Sequence, residues 1–248
     1  MAKSKIHIGT SGWSYDHWKG PFYPEELPNS QMLGYYSQHL QTVEINNSFY
    51  HLPRKSTLKR WRDTVPENFV FTAKASRYIT HMKKLKNPEK SLSSFLNHIS
   101  TLEDKLGPIL FQLPPHWHFN AERLENFLRY LSNEFSYAFE FRDKSWLNEH
   151  TCELLSRYDV AFCIYELDGF LSAKKITTNF VYVRLHGPGA PYQGSYDSRT
   201  LTDWAEAFSS WSAQGHAIYC YFDNDQSGYA AQNAEFLQSM LQGQSGQG

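Results

Sequence analysis

The sequence has no surplus of charge of either sign, no paired cysteines and no long apolar run. Lys plus Arg number 24 against 25 Asp plus Glu, a formal net charge of −1, so no overall field draws the chain to nucleic acid or to an acidic membrane surface. Its three cysteines, Cys152, Cys163 and Cys220, form no C-x-x-C pair. An odd, scattered set argues for a reducing compartment, with each thiol serving as a small buried hydrophobe. No apolar stretch approaches the roughly 20 residues that span a bilayer. The opening MAKSKIHIGTSGW also lacks the apolar core of a secretory signal. A cytoplasmic protein without membrane partners is the expectation.

Several chemical motifs are missing as well. Gly9-Thr10-Ser11-Gly12-Trp13 has Trp where a G-x-S-x-G nucleophile elbow needs its last Gly. Asp223, Asp225, Ser227 and Gly228 begin like a calcium loop, but the closing position holds Ala234 instead of Glu. There is no dinucleotide fingerprint and no P-loop. His116 and His118 form a lone H-x-H in a Pro-bounded loop, a surface pattern more often than a metal site. Glu44, Glu140, His186 and Asp223 are residue types that could share a divalent ion, but they lie on separate strands and their geometry is open. No metal ligand is assigned, and the cofactor is left unknown.

What is present is a β/α alternation. Eight runs rich in β-branched or aromatic residues read as strands: Ile6 to Thr10, Thr42 to Asn46, Phe69 to Lys74, Ile109 to Leu113, Tyr137 to Arg142, Ala161 to Tyr165, Phe180 to His186 and Ile218 to Asn224. Between them, Leu92, Phe95, Leu96, Ile99, Leu102 and Leu106 keep helical spacing up to a stop at Gly107-Pro108. Asn120 can cap a helix whose apolar face is Leu124, Phe127, Leu128 and Leu131, and Leu201, Trp204, Ala205, Phe208 and Trp211 form a third stripe. Eight such units in 248 residues predict one (β/α)8 barrel, an α/β fold with an irregular sixth unit over DGFLSAKKITTN. The expected domain covers residues 1–241, with 242–248 as a disordered tail.

Strand parity locates the candidate site. Side chains alternate between faces, and the face under the helices must be apolar. The polar set then points inward and crowds toward the C-terminal strand ends, where barrel enzymes keep their chemistry. On this basis Glu44, Glu140 and His186 are the catalytic candidates. Asn46, Tyr50, Lys74, Arg77, His81, Gln112, Arg142, Trp146, Arg184, Tyr196 and Asn224 are the substrate-binding ones. A charge-compensated interior without a ligand is the competing explanation, but buried ion pairs stabilise poorly, since desolvating each ion costs several kcal/mol.

Aromatic residues make up 16% of the chain, with 7 Trp, 16 Tyr and 17 Phe, more than a barrel core needs. Trp13, Tyr15, Trp18, Phe22, Tyr23, Tyr50, Trp117, Trp146, Tyr192 and Tyr196 fall in strand-to-helix connections, where half are expected to cover the barrel and half to meet a ligand. The connection SRYITHMKKLK is the one concentrated basic stretch. It suits a phosphate or a polyanion backbone as well as it suits a solvated face.

With these residues in place, the chain resembles the YecE-like family, domain of unknown function 72, a group of TIM-barrel proteins. The resemblance rests on GTSGWSYDHWKGPFYP at 9–24, VEINNSFYHLP at 43–53, ITH at 79–81, GPILFQLPP at 107–115, FEFRDKSW at 139–146, VYVRLHG at 181–187 and YFDND at 221–225. NNSFY departs from the more usual NSTFY but keeps a hydroxyl at Ser48. The resemblance implies the barrel and places most of the candidates above in the family's motifs; it supplies no reaction. Such barrels also look similar to the endonuclease IV and sugar-isomerase group, whose full metal-ligand set this chain lacks.

The leading functional expectation is an enzyme acting on a small anionic or carbohydrate-like substrate. Arg142 and Arg184 would hold charge, Glu140 or Glu44 would act as general acid or base, and His186 as proton shuttle. The alternatives are nucleic-acid binding or processing, by the endonuclease analogy and the basic loop, and a non-catalytic ligand-binding protein. The expected partner is a small or phosphate-bearing ligand; the oligomeric state is left open.

Overall fold

A computed structural model describes residues 5–245. Its strands are β1 (Ile6–Ser11), β2 (Thr42–Ile45), β3 (Val70–Lys74), β4 (Leu106–Leu113), β5 (Tyr137–Phe141), β6 (Ala161–Leu167), the two-residue β7 (Phe170–Leu171), β8 (Phe180–Leu185) and β9 (Ala217–Phe222). They run in the order β5-β4-β3-β2-β1-β9-β8-β6-β7, and β5 also pairs with β6. The sheet therefore closes, and β7 is an antiparallel addition to β6. The fold is the expected (β/α)8 barrel. Helices α1 (Met32–His39), α2 (Asn47–Tyr50), α3 (Lys55–Thr64), α4 (Glu89–Ile99), α5 (Ala121–Leu128), α6 (Glu149–Arg157), α7 (Ser198–Ala213) and α8 (Tyr229–Ser245) alternate with the strands. No helix lies between β6 and β8, so the sixth unit is irregular, as its sequence suggests. Residues 242–245 of the expected tail belong to α8, and 246–248 lie outside the described residues.

The chain divides into two compact units. One comprises the chain up to Val43, Ile164–Ser172 and the chain from Asn179; the other comprises Glu44–Cys163 and Ala173–Thr178.

In the first unit β9 lies between β1 and β8, in parallel register with Gly9 opposite Tyr221 and Arg184 opposite Tyr221. A Cβ on Gly9 would stand 2.1 Å from the Thr42 carbonyl oxygen, so only glycine permits this approach. The Tyr36 hydroxyl, from α1, accepts from Thr10 N–H at 3.0 Å and donates to Thr42 O at 2.9 Å. The loop after β1 buries Trp13, Trp18, Phe22 and Tyr23. Tyr23 donates to Trp13 O at 2.6 Å and Trp18 Nε1 to Asp225 O at 3.1 Å. These rings form a structural plate; burying each stabilises by roughly 1.5–3 kcal/mol. α7 buries Leu201, Trp204, Ala205 and Phe208, and its N-cap is Asp197, which accepts from Thr200 N–H.

In the second unit Asn120 caps α5 as expected, accepting from Arg123 N–H at 2.8 Å. An aromatic ladder of Phe111, Phe127, Phe139, Phe141 and Trp146 fills the space under the helices. The expected helix stop at Gly107-Pro108 is a correction. α4 ends at Ile99, a 3₁₀ stretch follows, and Gly107 lies inside β4. There the β3–β4 register shifts between Phe71 and Ala73, and a Cβ on Gly107 would stand 2.6 Å from Val70 Cγ1. The glycine serves a close approach at a bulge, where Pro108 is also tolerated.

Where the sixth helix is absent, hydroxyls occupy the strand. Ser172 Oγ accepts from Tyr165 N–H at 2.9 Å. In the other unit Thr177 Oγ1 accepts from Phe162 N–H at 2.8 Å and donates to Val160 O at 2.6 Å.

Candidate functional site

The second unit holds most of the candidates. On β5, Glu140 is fully buried, and Arg142, two residues on and so on the same face, places Nε against its Oε1. Gln112 of β4 lies opposite Glu140 in the parallel register. Cys163 Sγ stands 4.0 Å from Glu140 Oε2. Glu44, on β2, is also fully buried.

Lys74 closes β3 with Nζ 4.5 Å above the Phe49 ring. The chain then enters a π-helical turn, Tyr78–Met82, a rare geometry that gathers at functional sites. The turn carries His81, whose Nδ1 meets Thr80 Oγ1 at 2.9 Å and whose ring packs edge-on against Phe49 at 5.0 Å. Burial, followed by the charges of Lys74, Arg77 and Arg142, holds the His81 imidazole down at about 4. Lys74, Arg77 and Arg142 thus lie near enough to this half-buried imidazole to disfavour its protonation. α2 fixes this arrangement: its Ser48 hydroxyl donates to Lys74 O at 2.6 Å.

The His81 shift sets a measurable pH dependence. Between pH 6.5 and about 4 the unfolded chain takes up a proton at this histidine that the folded chain does not. Its contribution to stability is thus full above pH 6.5 and is lost as pH falls toward 4, levelling below that. Inorganic phosphate is expected to raise the His81 pKa by about one unit or more, because an anion offsets the cations. Following the His81 Cε1–H resonance against pH with and without phosphate checks this; an unmoved midpoint would sink it.

The first unit builds a separate buried network. Arg184 on β8 is fully buried and donates to Ser11 Oγ at 2.9 Å and Asp223 Oδ2 at 3.0 Å. His186 places Nδ1 2.9 Å from Asp223 Oδ2 and Nε2 3.3 Å from Arg184 Nη1. A guanidinium only donates, so Nε2 accepts and Nδ1 carries the proton given to Asp223. Asp223 and Arg184 together fix the tautomer and orientation of His186. The Tyr192 ring lies edge-on to the imidazole at 5.5 Å.

Several candidates sit elsewhere. Asn224 is buried against Gly194 O and Asn233 Oδ1, at 2.8 and 2.9 Å, and ties down a loop. Tyr196 packs on Phe222 and its hydroxyl accepts from Gly187 N–H at 3.0 Å. Trp146 is buried, stacked on Phe141 and bonded through Nε1 to Trp117 O. All three are buried in these contacts. Arg184 is enclosed by the partners above and orders His186 and Asp223. Asn46 is half-buried before α2, while Tyr50 and Arg77 are exposed. His118 is a surface residue beside Asp143, 3.3 Å away. No group of three or more His, Cys, Asp or Glu stands close enough to hold a metal ion among the described residues.

Sequence reasoning missed Glu166, whose carboxyl is pushed up by burial while a hydrogen bond with Tyr196 opposes the shift. The signal lay in strand length, since β6 runs to Leu167, beyond the expected Tyr165.

The family model described as "Protein of unknown function DUF72" matches residues 7–247. The chain belongs to the DUF72 family. YunF of Bacillus subtilis is 24% identical over 276 residues, covering 95% of this chain and 94% of that protein. YecE of Escherichia coli is 31% identical over 140 residues, 55% of this chain and 48% of its own. The crystal structure of a DUF72 protein from Thermotoga maritima superposes with a TM-score of 0.88 at 30% identity, covering 96% of this chain and 99% of that one. A Listeria monocytogenes structure titled a putative vitamin-B12-independent methionine synthase shares the fold alone, at 8% identity and a TM-score of 0.57 over 96% of each chain. No described helix of this DUF72 chain is long and apolar enough to cross a membrane.

Proposed function

We propose that this DUF72 protein is an enzyme acting on a small anionic or carbohydrate-like substrate by general acid/base chemistry at the C-terminal strand ends. The observation that carries the reading is the gathering of Lys74 and His81 on the Phe49 ring, with Arg77 and Arg142 near enough to hold the imidazole neutral. All three cations raise the local positive potential at one imidazole, and an anionic ligand gains from each of them. In this reading Lys74, Arg77 and Arg142 hold the anion, and His81, neutral at pH 7, supplies a hydrogen bond. Glu140 exchanges the proton, with Glu44 the second carboxylate. Arg142 gives the buried Glu140 its countercharge, and the pair's poor value as a stabiliser supports a chemical role. In the first unit, His186, oriented by Asp223, is separately proposed as a proton-transfer group.

The test is calorimetric titration with inorganic phosphate on the wild type and on Lys74→Met and Arg77→Met. Binding is expected in the wild type and is expected to weaken about tenfold in each variant, some 1.4 kcal/mol. Unchanged affinity in both variants would overturn the reading. A short single-stranded oligonucleotide, titrated at two salt concentrations, addresses nucleic-acid binding: a steep loss of affinity with salt would replace the small-ligand reading.

A further inference from the structure

The second unit also carries a cleft of about 350 Å³, lined by Asn47, Tyr50, His51, Leu52, Pro53, Thr57 and Trp61. Its size falls within the range of small-ligand sites. Its composition is specific. Tyr50 and Trp61 bring two aromatic rings to the lining, and Asn47, His51 and Thr57 bring hydrogen-bonding groups.

Tyr50 is 65% exposed, although it follows two buried residues of its helix, Ser48 and Phe49. Ser48 bonds to Lys74 O, and Phe49 is buried beneath Lys74 and beside His81. An exposed ring beside so fixed a base adds little to the core. The Phe49 ring also meets the Tyr50 ring at 4.9 Å, edge-on. Phe49 therefore links Lys74, above its ring, to Tyr50, which lines the cleft.

The geometry points to a sugar-ring subsite in the α2–α3 connection, which makes the ligand of Lys74, Arg77 and Arg142 an anionic sugar. This rests on the anion-binding reading above and names its substrate class. Aromatic faces suit the apolar C–H face of a pyranose. A sugar also presents hydroxyls around its whole edge, matching the three polar residues of the lining, whereas a nucleobase concentrates its polar atoms on fewer edges. The chain's near-zero net charge adds no field toward a longer polyanion.

Calorimetry with four probes tests the assignment: inorganic phosphate, glucose 6-phosphate, glucuronate and adenosine monophosphate. One of the two anionic sugars is expected to bind at least about tenfold more tightly than phosphate. Which one does so separates a phosphoryl from a carboxylate ligand. Tyr50→Ala is expected to abolish that gain and leave phosphate affinity unchanged; Tyr50 is so exposed that its removal should not disturb folding, and an unchanged Tm confirms this. Sugars no tighter than phosphate, a gain that survives Tyr50→Ala, or adenosine monophosphate binding more tightly than both sugars would overturn the subsite. If phosphate itself fails to bind, the anion reading has failed. Saturation transfer to neutral methyl glucoside then judges the cleft alone: no transfer, or transfer unaltered in Tyr50→Ala, overturns it.

Discussion

Arg184→Ala is expected to destabilise the protein by roughly 3–5 kcal/mol, the cost of breaking a buried charged network by removing one partner. The guanidinium is fully buried and donates to Ser11, Asp223 and His186. Its loss leaves a large cavity at the strand end and strips the Asp223 carboxylate of a charged donor. His186 Nε2 then no longer faces a group that obliges it to accept, so the imidazole loses half of what fixes its orientation. Urea denaturation measures the effect as a lower midpoint at constant slope. Arg184→Met, which fills more of the volume, should recover part of the loss but not the hydrogen bonds. A loss below about 1 kcal/mol for the alanine variant, the scale of an exposed pair, would show that the network is not the strut described.

Glu140→Gln is expected to lower kcat on an anionic sugar by about 10²–10⁴-fold, the usual worth of a positioned acid or base. Glutamine preserves the shape and an oxygen for Arg142 but cannot exchange the proton. If, as proposed, Lys74, Arg77 and Arg142 hold the anion, phosphate affinity should stay within about twofold; an effect on kcat without one on binding marks a group that acts in the transition state. Turnover is followed by NMR on the sugar that binds best. A variant retaining more than about a tenth of wild-type kcat would remove Glu140 from the chemistry, and a tightly held sugar that neither protein alters would favour a binding protein.

The barrel was legible because its signals are local. β-branched and aromatic runs mark all eight parallel strands, and Asn120 marks a helix start that the structure confirms. Gly107-Pro108 misled because a glycine before proline reads the same at a helix end as at a bulge, and only the approach of Val70 distinguishes them. At the site, parity correctly paired Glu140 with Arg142 and Arg184 with His186. Carried through the last strand, it would also have selected Asp223 over Asn224, since alternation from Tyr221 puts Asp223 on the Tyr221 face. The aromatic loops were the least legible part. Composition cannot say whether a ring covers the barrel or faces solvent, and Trp13, Trp18, Phe22, Tyr23, Trp146 and Tyr196 prove buried while Tyr50 and Tyr192 are exposed.

Ser172 and Thr177 bear on how this fold can diverge. Elsewhere an amphipathic helix must keep its spacing to cover a strand, so its length is constrained. On β6, two hydroxyls satisfy main-chain groups that a partner would otherwise have to meet. Such anchors act at points and leave the chain between them free to lengthen or shorten. The segment from 173 to 176 is accordingly where relatives can accept insertions at least cost, and where an alignment guided by helical spacing will find nothing to follow.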